Sequence, residues 1–157
     1  MIKNINIKEE RGITLITLII TVILLVIVTT ILATNSYTSL QLSNLTRLQN
    51  DIEVLDSRIA SYFIQSGELP IYKSEYAISK SELSSKIKGV SINDGDTYYT
   101  IDLSQLDNIT LNYGEGYRAL TNDRYIINEK SHVIYYLEGI KYDGDTYHTI
   151  GANKPIT

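Results

Sequence analysis

Two histidines, His132 and His148, are the side chains best suited to exchange a proton near neutral pH. Both stand among tyrosines in segments that read as strands. Neither has a second histidine at metal-ligand spacing. The 157-residue chain has no cysteine, which removes disulfides and thiolate metal sites. It contains no Gly-x-Ser-x-Gly, phosphate loop or His-Glu-x-x-His. The two histidines therefore read as structural. The expectation is a protein that is not an enzyme, with no cofactor and no metal site.

One acidic motif occurs twice. Asp94-Gly95-Asp96-Thr97-Tyr98-Tyr99-Thr100-Ile101 returns as Asp143-Gly144-Asp145-Thr146-Tyr147-His148-Thr149-Ile150. Carboxylates in a loop suit a hard cation such as Ca²⁺. They equally suit a β-turn, in which Gly supplies the positive φ. Neither copy has the length or the distal Glu of an EF-hand loop, which favours turns. The formal charge is −4 and there is no basic run, so no nucleic-acid partner is expected.

The elements that hold these residues fall into two materials. Overall the chain is 43% hydrophobic and 20% charged. Residues 13–33 carry no charge at all, and their polar members are five threonines. At about 1.5 Å per residue, such a run makes roughly 30 Å of helix, the thickness of a bilayer core. Each threonine can return its hydroxyl to a carbonyl one turn back. Lys3, Lys8 and Arg11 precede the run, and the first basic residue after it is Arg47. That asymmetry predicts a single-pass cell-membrane protein with a cytoplasmic N-terminus and an extracellular C-terminal region. The run is longer than a secretory signal core, and Ala33-Thr34-Asn35-Ser36 is a poor cleavage site.

Beyond the run, Leu45, Leu48, Ile52, Leu55, Ile59 and Tyr62 recur at helical spacing. Asn44, Arg47, Asp51, Glu53 and Asp56 are assigned to the exposed back. Ser66-Gly67 and Pro70 supply a stop. If the two parts join, one helix runs from about residue 13 to about residue 66, roughly 80 Å. A break would fall at residues 35–39, which are poor in helix formers. Packing on the chain's own sheet is expected, with a short coiled-coil stalk as the alternative.

From residue 68 the signals are those of strands. A short helix begins near Ser81-Glu82-Leu83. Strands are expected at 97–103 and, weakly, at 117–120. Residues 124–127 and 133–137 form one hairpin, and 139–142 pairs with 146–150 across Asp143-Gly144-Asp145 in another. Tyr occurs 13 times against one Phe, which suits half-buried sheet surfaces.

The junction Lys8-Glu9-Glu10-Arg11-Gly12, followed by Ile13-Thr14-Leu15-Ile16, resembles that of type IV prepilins and type II secretion system pseudopilins. The Gly-Ile-Thr-Leu-Ile form is similar to a subgroup from low-GC Gram-positive bacteria, and the strand around Tyr147-His148-Thr149 resembles the tail of that group. The resemblance implies cleavage between Gly12 and Ile13 by a prepilin peptidase and N-methylation of Ile13. Thr14, Leu15, Ile16 and Thr17 would then open the filament-core helix. The implied partners are prepilin peptidase, other pilin or pseudopilin subunits, an assembly platform and membrane lipid. The sequence departs from the family at Thr17, where most pilins carry Glu. In the family that Glu is thought to meet the amine of a neighbouring subunit, and a buried amine without a carboxylate is costly. Thr17 therefore points to a minor or tip subunit.

The resulting expectation is an α+β, pilin-like fold. A long N-terminal helix, half transmembrane and half amphipathic, packs on a C-terminal antiparallel β-sheet. The divisions are a leader at 1–12, a transmembrane helix and filament core at 13–33, an amphipathic extension at 34–67 and a β-rich region at 68–157. The expected function is that of a structural subunit of a pilus-like or pseudopilus filament on the cell surface. The alternative is a signal-anchored extracellular binding domain that does not polymerise.

Overall fold

The first element is a single α-helix, α1, spanning Ile7–Ser66. In this computed structural model the described residues are 7–87 and 92–150, with side chains described from residue 15. Residues 35–39 are helical, so no break interrupts α1. Their hydroxyls explain why: Ser36 and Thr38 each donate to a carbonyl four residues back, at 2.8 and 3.2 Å, and so do not compete for the helix's amides. The helix stops where expected. Gly67 takes a left-handed φ of 75°, and its N–H donates to the Phe63 carbonyl at 2.8 Å.

The chain divides into two compact units, Met1–Leu40 and Gln41–Thr157. The first contains the apolar part of α1. The second is α+β and holds the rest of α1, a short helix α2 (Lys80–Lys86) and five strands: β1 (Tyr98–Thr100), β2 (Tyr125–Asn128), β3 (Ile134–Tyr136), β4 (Ile140–Tyr142) and β5 (Asp145–Tyr147). Strands β1, β2 and β3 form an antiparallel sheet in that order, with Tyr99 opposite Ile127 and Ile126 opposite Tyr135. Strands β4 and β5 form a separate hairpin.

Both faces of the three-stranded sheet are covered. Leu48, Leu55 and Ile59 of α1 pack with Tyr125, Ile127, Ile134 and Tyr136. Leu83 and its neighbours Ile78 and Ile87 pack with Tyr98, Ile126 and Tyr135 on the other side. Successive strand residues point to opposite faces, so a strand covered on both must be apolar throughout. The sequences Tyr-Ile-Ile and Ile-Tyr-Tyr in β2 and β3 satisfy that condition. Helix α2 begins at Ser79, whose hydroxyl accepts from the Glu82 amide at 3.3 Å.

Three expectations are corrected. Residues 117–120 form no strand. Gly114, at φ 99°, turns the chain into a 3₁₀ turn at Glu115–Tyr117, and the Arg124 guanidinium holds the carbonyls of Leu120 and Thr121. The Tyr117 and Leu120 amides likewise donate back within the segment, to the Gly114 and Tyr117 carbonyls, so its backbone closes on itself in turns. The strand expected at 97–103 is only three residues long. Asp102 accepts from the Ser104 amide at 3.0 Å and opens another 3₁₀ turn. The histidines lie outside strands: His132 precedes β3 in a left-handed conformation (φ 57°), and His148 follows β5. Both Asp-Gly segments are turns. Asp143 and Gly144 both have positive φ, as a two-residue hairpin connection requires.

Candidate functional site: the exposed apolar helix and the carboxylate clamp

Between Leu15 and Leu32, fourteen large aliphatic side chains stand 49–65% exposed. Apolar removal from water is worth about 25 cal/mol per Å², or roughly 1.5–3 kcal/mol per fully buried side chain of this size. An exposed run of that extent needs an apolar surrounding. This is one helix, near the N-terminus, long and apolar enough to cross a membrane. Its threonines fit that role. Thr21 donates to the Leu18 carbonyl (2.8 Å), Thr29 to Leu25 (2.8 Å) and Thr30 to Val26 (2.8 Å). Each hydroxyl is thereby satisfied inside the helix and presents mainly its methyl group outward.

The residues that the prepilin resemblance implicates in processing lie at the start of this segment. The backbones of Gly12, Ile13 and Thr14 belong to α1, while the side chains of Ile13 and Thr14 lie outside the described ones. Leu15 and Ile16 are 60% and 58% exposed, and Thr17 is exposed and also partnered. Of the leader expected at 1–12, residues 1–6 lie outside the described residues.

In the second unit, the apolar stripe of α1 meets the sheet as its spacing predicts. Asp51 does not: expected on the exposed back, it is 2% exposed. Its carboxylate accepts from the Asn112 amide (2.9 and 3.0 Å), the Asn112 side-chain amide (2.8 Å), the Tyr113 amide (3.0 Å) and the Tyr125 hydroxyl (2.8 Å). A buried carboxylate with this many donors is a fixed anchor, because its lone pairs are occupied. A second carboxylate continues the clamp. Asp123 accepts from the Gly114 amide (2.7 Å) and the Tyr136 hydroxyl (2.9 Å). The rings of Tyr113 and Tyr125 lie 5.2 and 5.1 Å from that of Tyr136. Burial, followed by donation to Asp51, pushes the Tyr125 phenol far above its ordinary range. Burial, then donation to Asp123, does the same to Tyr136. Both hydroxyls are therefore protonated near neutral pH and donate to the carboxylates. One signal for Asp51 was present in the sequence: it lies three residues after Leu48 and four before Leu55, inside the apolar stripe.

His148 is 2% exposed, with Nδ1 2.9 Å from the Tyr136 carbonyl. Burial lowers its pKa. The neutral ring therefore donates through Nδ1–H and ties the segment after β5 to β3. His132 is partly exposed, and its ring meets Phe63 edge-on at 5.1 Å. Around the first Asp-Gly turn, Asp94 is paired with Lys80, and Lys130 donates to the Gly95 carbonyl (2.8 Å) and approaches Asp96 (3.6 Å). The carboxylates of that turn thus serve lysines. No protein-family model, curated protein or solved structure matches this chain.

Proposed function

We propose that this chain is the precursor of a structural subunit of a type IV pilus-like or type II secretion pseudopilus filament, in a minor or tip position. The observation that carries the reading is the division of labour along α1. Its first part exposes an unbroken apolar surface, and its second part buries a stripe on the chain's own sheet. A helix of that kind holds a folded domain outside a membrane while keeping an apolar segment for lipid and later for neighbouring subunits. The Gly12–Ile13 junction supplies the processing step: prepilin peptidase cuts on the cytoplasmic side and Ile13 becomes the methylated N-terminus. An assembly platform then draws anchored subunits together along their apolar helices.

Thr17 supports the minor or tip position. A hydroxyl can accept a hydrogen bond from the ammonium of a neighbouring subunit but supplies no negative charge to pair with it, so the contact is weaker than one to a carboxylate. Removing Lys3, Lys8, Glu9, Glu10 and Arg11 with the leader changes 14 basic and 18 acidic residues to 11 and 16, a net charge of −5. The role is structural, with no catalytic step assigned to it. Thr17 also favours a second reading, a signal-anchored extracellular domain that never polymerises.

The intact mass and N-terminal residue of the protein recovered from its native membrane test the proposal. A methylated Ile13 is expected, and Gly12→Ala should leave the precursor uncut. A chain still beginning at Met1, in cells that process another prepilin, would refute it and leave the anchored domain.

A further inference from the structure

The part of α1 in the second unit turns an outer face to solvent, and the charges on that face are sorted. At about 100° per residue, Arg47 and Arg58 fall on one flank of the buried stripe, and Glu53 and Asp56 on the other. All four are exposed, and none forms an ion pair among the described residues.

The acidic flank borders a groove. One wall is α1 and the other is the turn between β2 and β3, and His132 lies in each of its three adjoining depressions. Its apolar surface includes Phe63, 38% exposed, and Ile64, 83% exposed. Glu53 and Asp56 line one end, and Glu68 and Glu129 line the other.

The spacing of the two flanks corresponds. Arg47 and Arg58 are separated by about 16 Å along the helix axis. The two acidic pairs are separated by roughly 17 Å, taking the end of α1 as the position of the second. A parallel copy displaced by about 12 Å along the axis brings Arg47 to Glu53 and Asp56, and Arg58 to Glu68 and Glu129. Copies anchored in one orientation are necessarily parallel. An isologous contact would set arginine against arginine or carboxylate against carboxylate, which is repulsive. A contact between opposite flanks is heterologous and repeats without closing.

We infer that the groove bordered by Glu53, Asp56 and Phe63 receives the Arg47–Arg58 flank of a second copy of this chain. The inference rests on the filament reading and specifies its lateral contact. Arginine suits the position: its stem covers Phe63 and Ile64 while its guanidinium reaches the carboxylates.

The absence of native cysteine makes the test direct. Full-length Arg47→Cys/Asp56→Cys chains are oxidised mildly in native cells that process and assemble another prepilin. Within one chain these positions lie about 13 Å apart along a rigid helix, beyond disulfide reach. Any disulfide therefore joins copies. The expected result is a ladder extending past the dimer from the double variant, and no ladder from either single variant. In a second reporter, Arg58→Cys/Glu68→Cys, adding Arg47→Asp should weaken the ladder about fivefold, the worth of roughly 1 kcal/mol. Asp56→Arg placed with it should restore the yield. The N-terminal mass of the same sample reads processing separately. A chain cut after Gly12 that gives no ladder overturns the groove contact and leaves the filament reading standing. A ladder from a chain beginning at Met1 supports the contact and overturns the processing. Met1 chains without a ladder overturn both.

Discussion

Replacing Asp51 by Ala should be among the most damaging single changes in the folded unit. The carboxylate is buried and accepts from four donors: two backbone amides, one side-chain amide and one phenol. A hydrogen bond to a charged group is worth about 1.5–3 kcal/mol, and a buried donor left unsatisfied costs about 1–3 kcal/mol. These effects overlap, and water entering the vacated space recovers part of the loss. A net cost of about 4 kcal/mol follows, against a total stability of about 5–15 kcal/mol for a domain. Asp51→Asn keeps one carbonyl acceptor but turns a donor toward donors, and should cost about 2 kcal/mol. Tyr125→Phe removes one donor and leaves the carboxylate three, at about 1 kcal/mol. Thermal unfolding of the full chain in detergent micelles, followed by near-ultraviolet circular dichroism of its 13 tyrosines, reads the series. At about 4 °C per kcal/mol, Tm should fall by roughly 15 °C for Ala, and by about half and a quarter of that for Asn and Phe. A Tm within about 3 °C of the parent for Asp51→Ala, or a larger drop for Tyr125→Phe than for Ala, would show that the carboxylate does not hold this loop.

Gly114→Ala should lower stability by about 1–3 kcal/mol in the same assay, because the residue sits at φ 99° and a Cβ would come within 2.8 Å of the Tyr125 ring. An unchanged Tm would mean the loop can turn another way. His148 makes stability depend on pH. Burial lowers its folded pKa, so the unfolded chain takes up the proton first, and its contribution is present above about pH 6.5 and lost as pH falls below that. Unfolding of His148→Gln measured from pH 7.5 down to 5.5 should show a flatter slope than the parent, and an equal slope contradicts the assignment. Burial pushes the Tyr135 phenol up to about 12. Its contribution is therefore present below about pH 10 and lost as pH rises through about 12. Phenolate absorbance should show a phase near pH 12 that is missing in Tyr135→Phe.

Much of the fold was legible because it follows from local rules. The spacing of Leu48, Leu55 and Ile59 marks the face that α1 buries, and Gly67 ends the helix at a position only glycine fills cheaply. The Asp143-Gly144 pair sets the last turn through its own backbone preference. Other features are not legible locally because their partners are distant. Asp51 is charged, which by itself points to solvent, yet its donors lie 61–74 residues further along the chain. Residues 117–120 have strand-like composition, but Gly114 and the Arg124 guanidinium satisfy their backbone in turns.

The sequence by itself determined the apolar segment, the charge asymmetry around it and the amphipathic stripe, since each depends only on residue type and spacing along one element. Tertiary structure alone decided which polar residues go inside and which charges stay unpaired. Asp51 is buried because Asn112, Tyr113 and Tyr125 converge on it, and desolvating a carboxylate is tolerable only when such donors are already in place. Glu53 and Asp56, two and five residues further along the same helix, find no cation within the described fold and remain at the surface. The difference between them is one of angle around α1. That angle has meaning only once the sheet has taken its side of the helix.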